Sequence, residues 1–307
     1  MQIIDSHIHL VAKRFMKRLL ERDAPENPTM FKKQMARWAR ALKRRGQVER
    51  DDSFDPEPAE LARLWLDELD RSGVRAGVFF AFGGEETDEE AAEFARVAPD
   101  RLLIYMILNP VEAASVERLR RGIDELGFRG IKLLPPNFRF SVADRRAWPV
   151  YELCEERGVP VLSHMGISIG YNSDIRYSNP LDIHPAAVDF PDLTFIAAHF
   201  GAGFLREVLF MAYQCENVCV DSSGSNSWRG YMPYPISLAD TFRRVLDCYG
   251  PDRVLFGSDS SYWPRGFRRD VLDEQLAALD EIDAPDETRR KFLGENAARI
   301  LRLDGGA

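Results

Sequence analysis

Five histidines occur in this 307-residue chain, and four of them, His7, His9, His164 and His199, sit where they could act together on a ligand. His7 and His9 stand two residues apart in DSHIHL. In an extended strand that spacing sends both imidazoles out of the same face, so they can converge on one ion. Taken alone, an HxH pair reads as readily as two hydrogen-bonded histidines on a strand. The rest of the chain weighs against that reading: His164 follows the apolar run PVLS, His199 follows FIAA and Asp259 follows VLFGS. Imidazole nitrogens with a single carboxylate suit one divalent transition ion, Zn2+ first and Mn2+ or Fe2+ as alternatives. Such an ion brings the pKa of bound water to about 7 and so supplies hydroxide at neutral pH. A neighbouring imidazole or carboxylate then moves protons, and the set suffices for hydrolysis. A purely structural reading needs all five residues to reach strand ends by coincidence.

The elements that must position these groups follow from the hydrophobic pattern. Short β-branched or apolar runs at 2–7, 74–81, 102–108, 128–134, 160–163, 193–198, 218–221 and 253–257 alternate with amphipathic stretches. That alternation belongs to repeated βα units around a parallel sheet. Helices are expected over 60–71, where Leu61, Leu64, Trp65 and Leu69 share a stripe, and over 113–125, 144–157 and 271–282. Eight units favour closure, so the expected fold is α/β, a (β/α)8 TIM barrel forming a single domain over residues 1–307. The four histidines and Asp259 then fall at C-terminal strand ends, the face on which such barrels gather their active sites. Beyond Pro285 an extra C-terminal helix over 287–303 is expected on the barrel exterior.

One stretch breaks the alternation. Residues 11–58 are far more than a strand-to-helix connection needs, and they read as a helical insertion after strand 1. Within 11–50, thirteen Lys or Arg stand against four Asp or Glu, while Phe31, Met35, Trp38 and Leu42 recur at helical spacing. A basic helical hairpin across the barrel mouth fits this pattern. It reads as a solvated helical face, as a lid that attracts an anionic small-molecule substrate through residues such as Arg37, Arg40 and Arg44, or as a contact in a homodimer. The chain as a whole is acidic, with net charge -8, which argues against a nucleic-acid partner. No apolar run is long enough to cross a bilayer, and MQIIDSHIHL lacks the basic-then-apolar form of a secretory signal. Cys154, Cys215, Cys219 and Cys248 form no CxxC pair and read as reduced thiols, so a cytoplasmic setting is expected.

Taken together, DSHIHL, GFRGIKLLP, PVLSHMG, PDLTFIAAHFGAG, VLFGSD and GENAARIL resemble the amidohydrolase-related branch of the amidohydrolase superfamily, from residue 2 to about residue 301 outside the insertion. The resemblance implies a metal-dependent enzyme in which His7, His9, His164 and Asp259 hold the ion. It makes Asp259 a contact of the reactive water and His199 the acid/base group. Asp5 is expected to orient a ligand or cap a turn. Lys132 matches the position at which two-metal members carry a carboxylated lysine, and only in that form would His164 and His199 hold a second ion. Its favoured role here is a free amine that meets a substrate carboxylate or an acid such as Asp259. After Asp259 the order SSYWP departs from members with an aromatic residue and proline at once, so no substrate preference carries over. His184 is expected to be no ligand.

Lys132, Asn137, Arg139 and Trp228 are the candidate substrate contacts among residues near strand ends. The expected function is metal-dependent hydrolysis of a small carboxylate- or amide-containing metabolite, with Asp259 and His199 as catalytic groups. The branch also contains aminocarboxymuconate-semialdehyde decarboxylase and the resorcylate-type decarboxylases, which makes non-oxidative decarboxylation, a carbon-carbon lyase reaction, the first alternative. A non-catalytic metal-binding barrel is the alternative of a different class, and the completeness of the constellation weighs against it.

Overall fold

Eight parallel strands pair in chain order: β1 Ile3–Leu10, β2 Val74–Ala81, β3 Leu102–Leu108, β4 Gly130–Leu133, β5 Val161–Ser163, β6 Phe195–Ala197, β7 Val218–Asp221 and β8 Val254–Leu255. Backbone bonds from Ser6 N to Phe256 O (2.9 Å), His9 N to Ser260 O (2.7 Å) and Asp259 N to His7 O (3.0 Å) bring the β8 segment against β1. The sheet thereby closes into a (β/α)8 barrel. It is seen in a computed structural model that describes residues 2–12, 53–81, 85–168, 173–260 and 265–303, with Thr29, Lys32, Lys33, Ala36 and Arg40 besides.

A helix follows each strand: α1 Pro58–Ser72, α2 Glu85–Arg96, α3 Ser115–Asp124, α4 Trp148–Arg157, α5 His184–Asp189, α6 Leu205–Met211, α7 Leu238–Tyr249 and α8 Arg269–Glu281. Local chemistry sets their ends. Pro58 opens α1, where a missing N–H costs nothing, and Gly73 ends it in the left-handed conformation at φ 68°. Leu61, Trp65 and Leu69, one turn apart, form its buried stripe. Ser237 and Asp240 cap α7 reciprocally.

Strand alternation divides the buried side chains into two clusters. Leu61, Trp65, Phe79, Leu102, Phe195 and Phe242 belong to the outer one, between strands and helices. Ile4, Val78, Phe80, Leu103, Leu162, Ile196 and Leu255 fill the barrel. The C-terminal segment corrects the expectation of a purely exterior helix. Its Phe292 does join the outer cluster, edge-on to Phe242 and Phe256. Past a π-helical turn at Lys291–Glu295, however, Ala297, Ile300, Leu301 and Leu303 join the inner cluster. The extra residue per turn rotates the apolar stripe from the barrel wall to its open N-terminal end. Burying each large side chain there is worth about 1.5–3 kcal/mol, which a helix lying wholly outside would forgo. Gly294 permits the approach, since a Cβ on it would lie 2.3 Å from the carbonyl of Gln2.

The hairpin expected around Phe31, Met35, Trp38 and Leu42 lies outside the described residues, as do Arg37 and Arg44; Lys32, Lys33 and Arg40 are helical and exposed. Among the described residues no helix is long and apolar enough to cross a membrane. All four cysteines are free thiols, three buried and Cys248 exposed.

Candidate metal and catalytic site

β1 carries its histidines into the barrel by an irregularity. Ile4 faces the interior, so simple alternation would place Ser6 and Ile8 inside and turn His7 and His9 out. The pairing with β2 slips between Asp5 and Ile8, which oppose Gly77 and Phe79. One extra residue on β1 reverses the parity, sending Ile8 into the outer cluster and His7 against Phe80 of the inner one, ring centroids 4.6 Å apart. The buried Asp5 carboxylate holds this bulge by accepting from His7 N (3.1 Å) and Ser258 N (2.9 Å), the turn-capping role expected of it. Burial raises its pKa to about 7.

After β6 the chain makes a left-handed turn. His199, Phe200, Gly201, Ala202 and Gly203 all have positive φ, at 62°, 48°, 80°, 37° and 104°. Left-handed backbone costs roughly 1–2 kcal/mol for each residue with a Cβ, so contacts must hold the turn. His199 N donates to Asp221 Oδ1 (3.0 Å), Ile167 N donates to Ala202 O (3.0 Å) and Phe200 meets Phe242 edge-on. The turn aims the His199 ring across the mouth, where its Nε2 lies 3.0 Å from His164 Nδ1. Asp259, past β8, is also left-handed at φ 56°.

Asp259 Oδ1 lies 3.3 Å from His9 Nε2 and 3.7 Å from His7 Nε2. Donor atoms of this trio fall within 4.8 Å of one another, a spread that one ion could span. His7, His199 and Asp221 form a second such trio among the described residues, but His7 and Asp221 already satisfy each other through Nδ1 and Oδ2 at 2.9 Å. His164 belongs to neither trio. Its Nε2 is buried without a hydrogen-bond partner, which costs about 1–3 kcal/mol unless something takes the lone pair. Burial takes His7 down to about 3 and lowers His164 and His199 as well, which favours the neutral form that a metal donor needs. Burial pushes the Asp259 carboxyl up, but the His9 hydrogen bond and the neighbouring His199 and His7 outweigh it and hold the group ionised. This donor set fits a divalent ion.

The amidohydrolase family model matches residues 4–303. The chain belongs to the amidohydrolase family. No curated protein matches it. Among solved structures, an uncharacterized TIM-barrel protein from Bordetella bronchiseptica is 23% identical, covering 99% of both chains at a TM-score of 0.62. The 5-carboxyvanillate decarboxylase of Sphingomonas paucimobilis is 16% identical over 98% of this chain and 99% of its own, TM-score 0.64. A zinc-bound amidohydrolase from Burkholderia multivorans is 17% identical over 99% and 100%, TM-score 0.66.

In this member of the amidohydrolase family the remaining candidates are dispersed. Lys132 is fully buried, with Nζ 3.4 Å from His7 Nε2 and 4.8 Å above the Phe80 ring. Burial lowers its pKa to about 7 against the opposing pull of Asp221 and Asp259. Asn137 is half-buried on the short helix Pro135–Phe138, and Arg139 caps that helix, exposed, at φ 57°. Trp228 is buried in the outer cluster, with its Nε1 unpartnered. None of these three is hydrogen-bonded to the histidines. His184 Nε2 lies 2.7 Å from Gln214 Oε1. The loop 261–264 lies outside the described residues. Sequence reasoning ended β7 at Asp221 without giving it a role, yet it bonds two of the histidines. The signal was present, since a carboxylate closing a barrel strand is the same cue that picked out Asp259.

Proposed function

We propose that this member of the amidohydrolase family is a metal-dependent hydrolase of a small carboxylate- or amide-bearing metabolite. The observation that carries the reading is the convergence of His7 Nε2, His9 Nε2 and Asp259 Oδ1 at the barrel mouth. In this proposal those three residues would hold one divalent ion, with Zn2+ the first choice, and His164 would be a further ligand through its unpartnered Nε2. When bound, the ion supplies Lewis acidity that polarises a carbonyl and acidifies water. His199 is the proton carrier: its Nδ1 bonds the Ser223 carbonyl at 3.0 Å, which leaves its Nε2, 3.0 Å from His164 Nδ1, as the nitrogen that receives a proton from water and returns it to the leaving group. Asp259 orients the attacking water, and Lys132 offers its amine to a substrate carboxylate. A second reading, non-oxidative decarboxylation, is supported by the likeness of the whole barrel to 5-carboxyvanillate decarboxylase.

The test is a metal-replete screen of lactones, amides and aromatic or unsaturated carboxylic acids in 18O-labelled water. Hydrolysis puts label into the organic product, whereas decarboxylation releases carbon dioxide and leaves the remaining organic product unlabelled. Full turnover by metal-free protein would sink both readings, and about two tightly bound ions per chain would replace the one-ion site by a carboxylated-Lys132 centre.

A further inference from the structure

Beyond the groups assigned to the reaction, Asp221 and Ser223 at the end of β7 are fully buried and touch both His7 and His199. Asp221 Oδ2 accepts from His7 Nδ1 at 2.9 Å. Its other oxygen accepts from three donors, His199 N at 3.0 Å, Ser223 N at 2.9 Å and Ser223 Oγ. The Ser223 carbonyl accepts from His199 Nδ1 at 3.0 Å. Because Ser223 Oγ spends its proton on Asp221, its lone pairs face His7 Nδ1 at 2.9 Å and His199 Nδ1 at 2.8 Å. Carboxylate and carbonyl oxygens only accept, so each Nδ1 must carry its ring's proton, and each neutral ring then has a bare Nε2. The ladder extends one ring further. His164 Nδ1, 3.0 Å from the bare His199 Nε2, must donate to it in the metal-free protein, which bares His164 Nε2, the atom found without a partner.

We propose that Asp221 and Ser223 are positioning residues that hold His7 and His199 as Nδ1–H tautomers, so that each presents an unprotonated Nε2 at the barrel mouth. The consequence for metal uptake rests on the one-ion reading above, whereas the tautomers belong to the metal-free protein. Little slack is available for other arrangements. A Cβ on Gly257 would lie 2.8 Å from His7 Cβ and 2.9 Å from Ser223 Cβ, so β8 clamps the two residues together.

Asp221→Asn separates this role from mere packing. The variant keeps shape but makes one of the two atoms a donor. Three donors surround the Oδ1 position, so the carboxamide oxygen must take it and the NH2 must face His7 Nδ1. A donor there forces the proton of His7 to Nε2, the nitrogen needed by the ion. His199 keeps its tautomer, because the Ser223 carbonyl is untouched.

Long-range 1H–15N spectra of the metal-free, histidine-labelled full chain read each tautomer, with rings assigned by single substitution. The expected result is Nδ1–H at His7 and His199 in the wild type, inversion of His7 alone in Asp221→Asn, and both tautomers retained in Ser223→Ala. Zn2+ competition against a chromophoric chelator should show affinity falling about 10–100-fold in Asp221→Asn. Wild-type His7 protonated on Nε2 would overturn the proposal without any variant having to fold, and so would an unchanged His7 tautomer in folded Asp221→Asn. Wild type with the expected tautomers and no Zn2+ uptake would support the positioning role while sinking the metal-dependent function.

Discussion

At the N-terminal end of the barrel, Ile4 and Leu103 join Ala297, Ile300, Leu301 and Leu303 in an inner cluster of apolar side chains. Further along the same sheet, Asp5, His7, Lys132, His199 and Asp221 are equally buried. The backbone changes with the side chains. β1 slips register against β2 at both levels, between Ile3 and Ile4 and again between Asp5 and Ile8, but left-handed residues gather at the mouth, at His199, Phe200, Ala202 and Asp259, against Arg302 near the floor. Buried polar groups and strained backbone are both unfavourable unless compensated, so a floor so built would gain nothing. The contrast teaches a division of labour within one sheet, in which apolar packing below supports a polar and strained arrangement above.

If that division holds, the largest effects should separate cleanly by end. Asp259→Asn keeps the shape of the side chain but removes the charge beside His7 and His9. Turnover should fall by about 10³-fold, while unfolding free energy stays within about 1 kcal/mol of wild type, because such sites are held for function rather than stability. Parallel steady-state kinetics and urea melts check this, and a loss of several kcal/mol would make the mouth part of the structural core. Leu103→Ala at the floor should do the reverse. It deletes a fully buried side chain and should cost about 2–5 kcal/mol. Zn2+ affinity and turnover of the folded fraction should be unchanged, and a parallel fall in affinity would show that the two ends are coupled.

The legibility of the molecule divides along similar lines. The apolar strands could be read closely: β2, β3 and β7 have the boundaries that hydrophobic runs predict, and the stripe of Leu61, Trp65 and Leu69 marks α1. His7, His9 and Asp259 were legible as a converging set because spacing and strand-end position are local properties. The bulge was not, since it depends on Asp5 finding Ser258 across the closed barrel, 253 residues away. Asp221 carried the same strand-end cue as Asp259, but its bond to His7 was not legible, since only closure brings β7 near β1. The turn of the terminal segment under the barrel depends on the π-helical turn at Lys291–Glu295, for which hydrophobic periodicity alone carries no signal.

The smallest effect gives the finest comparison, because one substitution can be made in the strained mouth and in a regular helix of the barrel wall. Ala62 lies inside α1 with ordinary helical geometry, and Ala202 lies in the turn after His199 at φ 37°; both are buried. Ala→Gly removes a methyl worth about 0.8 kcal/mol at either site. In the helix the change also costs about 1 kcal/mol of propensity, so Ala62→Gly should destabilise by roughly 2 kcal/mol. In the turn it relieves about 1–2 kcal/mol of left-handed strain, against the methyl and about 0.5–1 kcal/mol of added unfolded-chain entropy. These terms nearly cancel, so Ala202→Gly should shift stability by no more than about 0.5 kcal/mol in urea melts. Equal losses at the two positions would mean that the turn is not strained, and the contrast between mouth and floor would then rest on side-chain polarity alone.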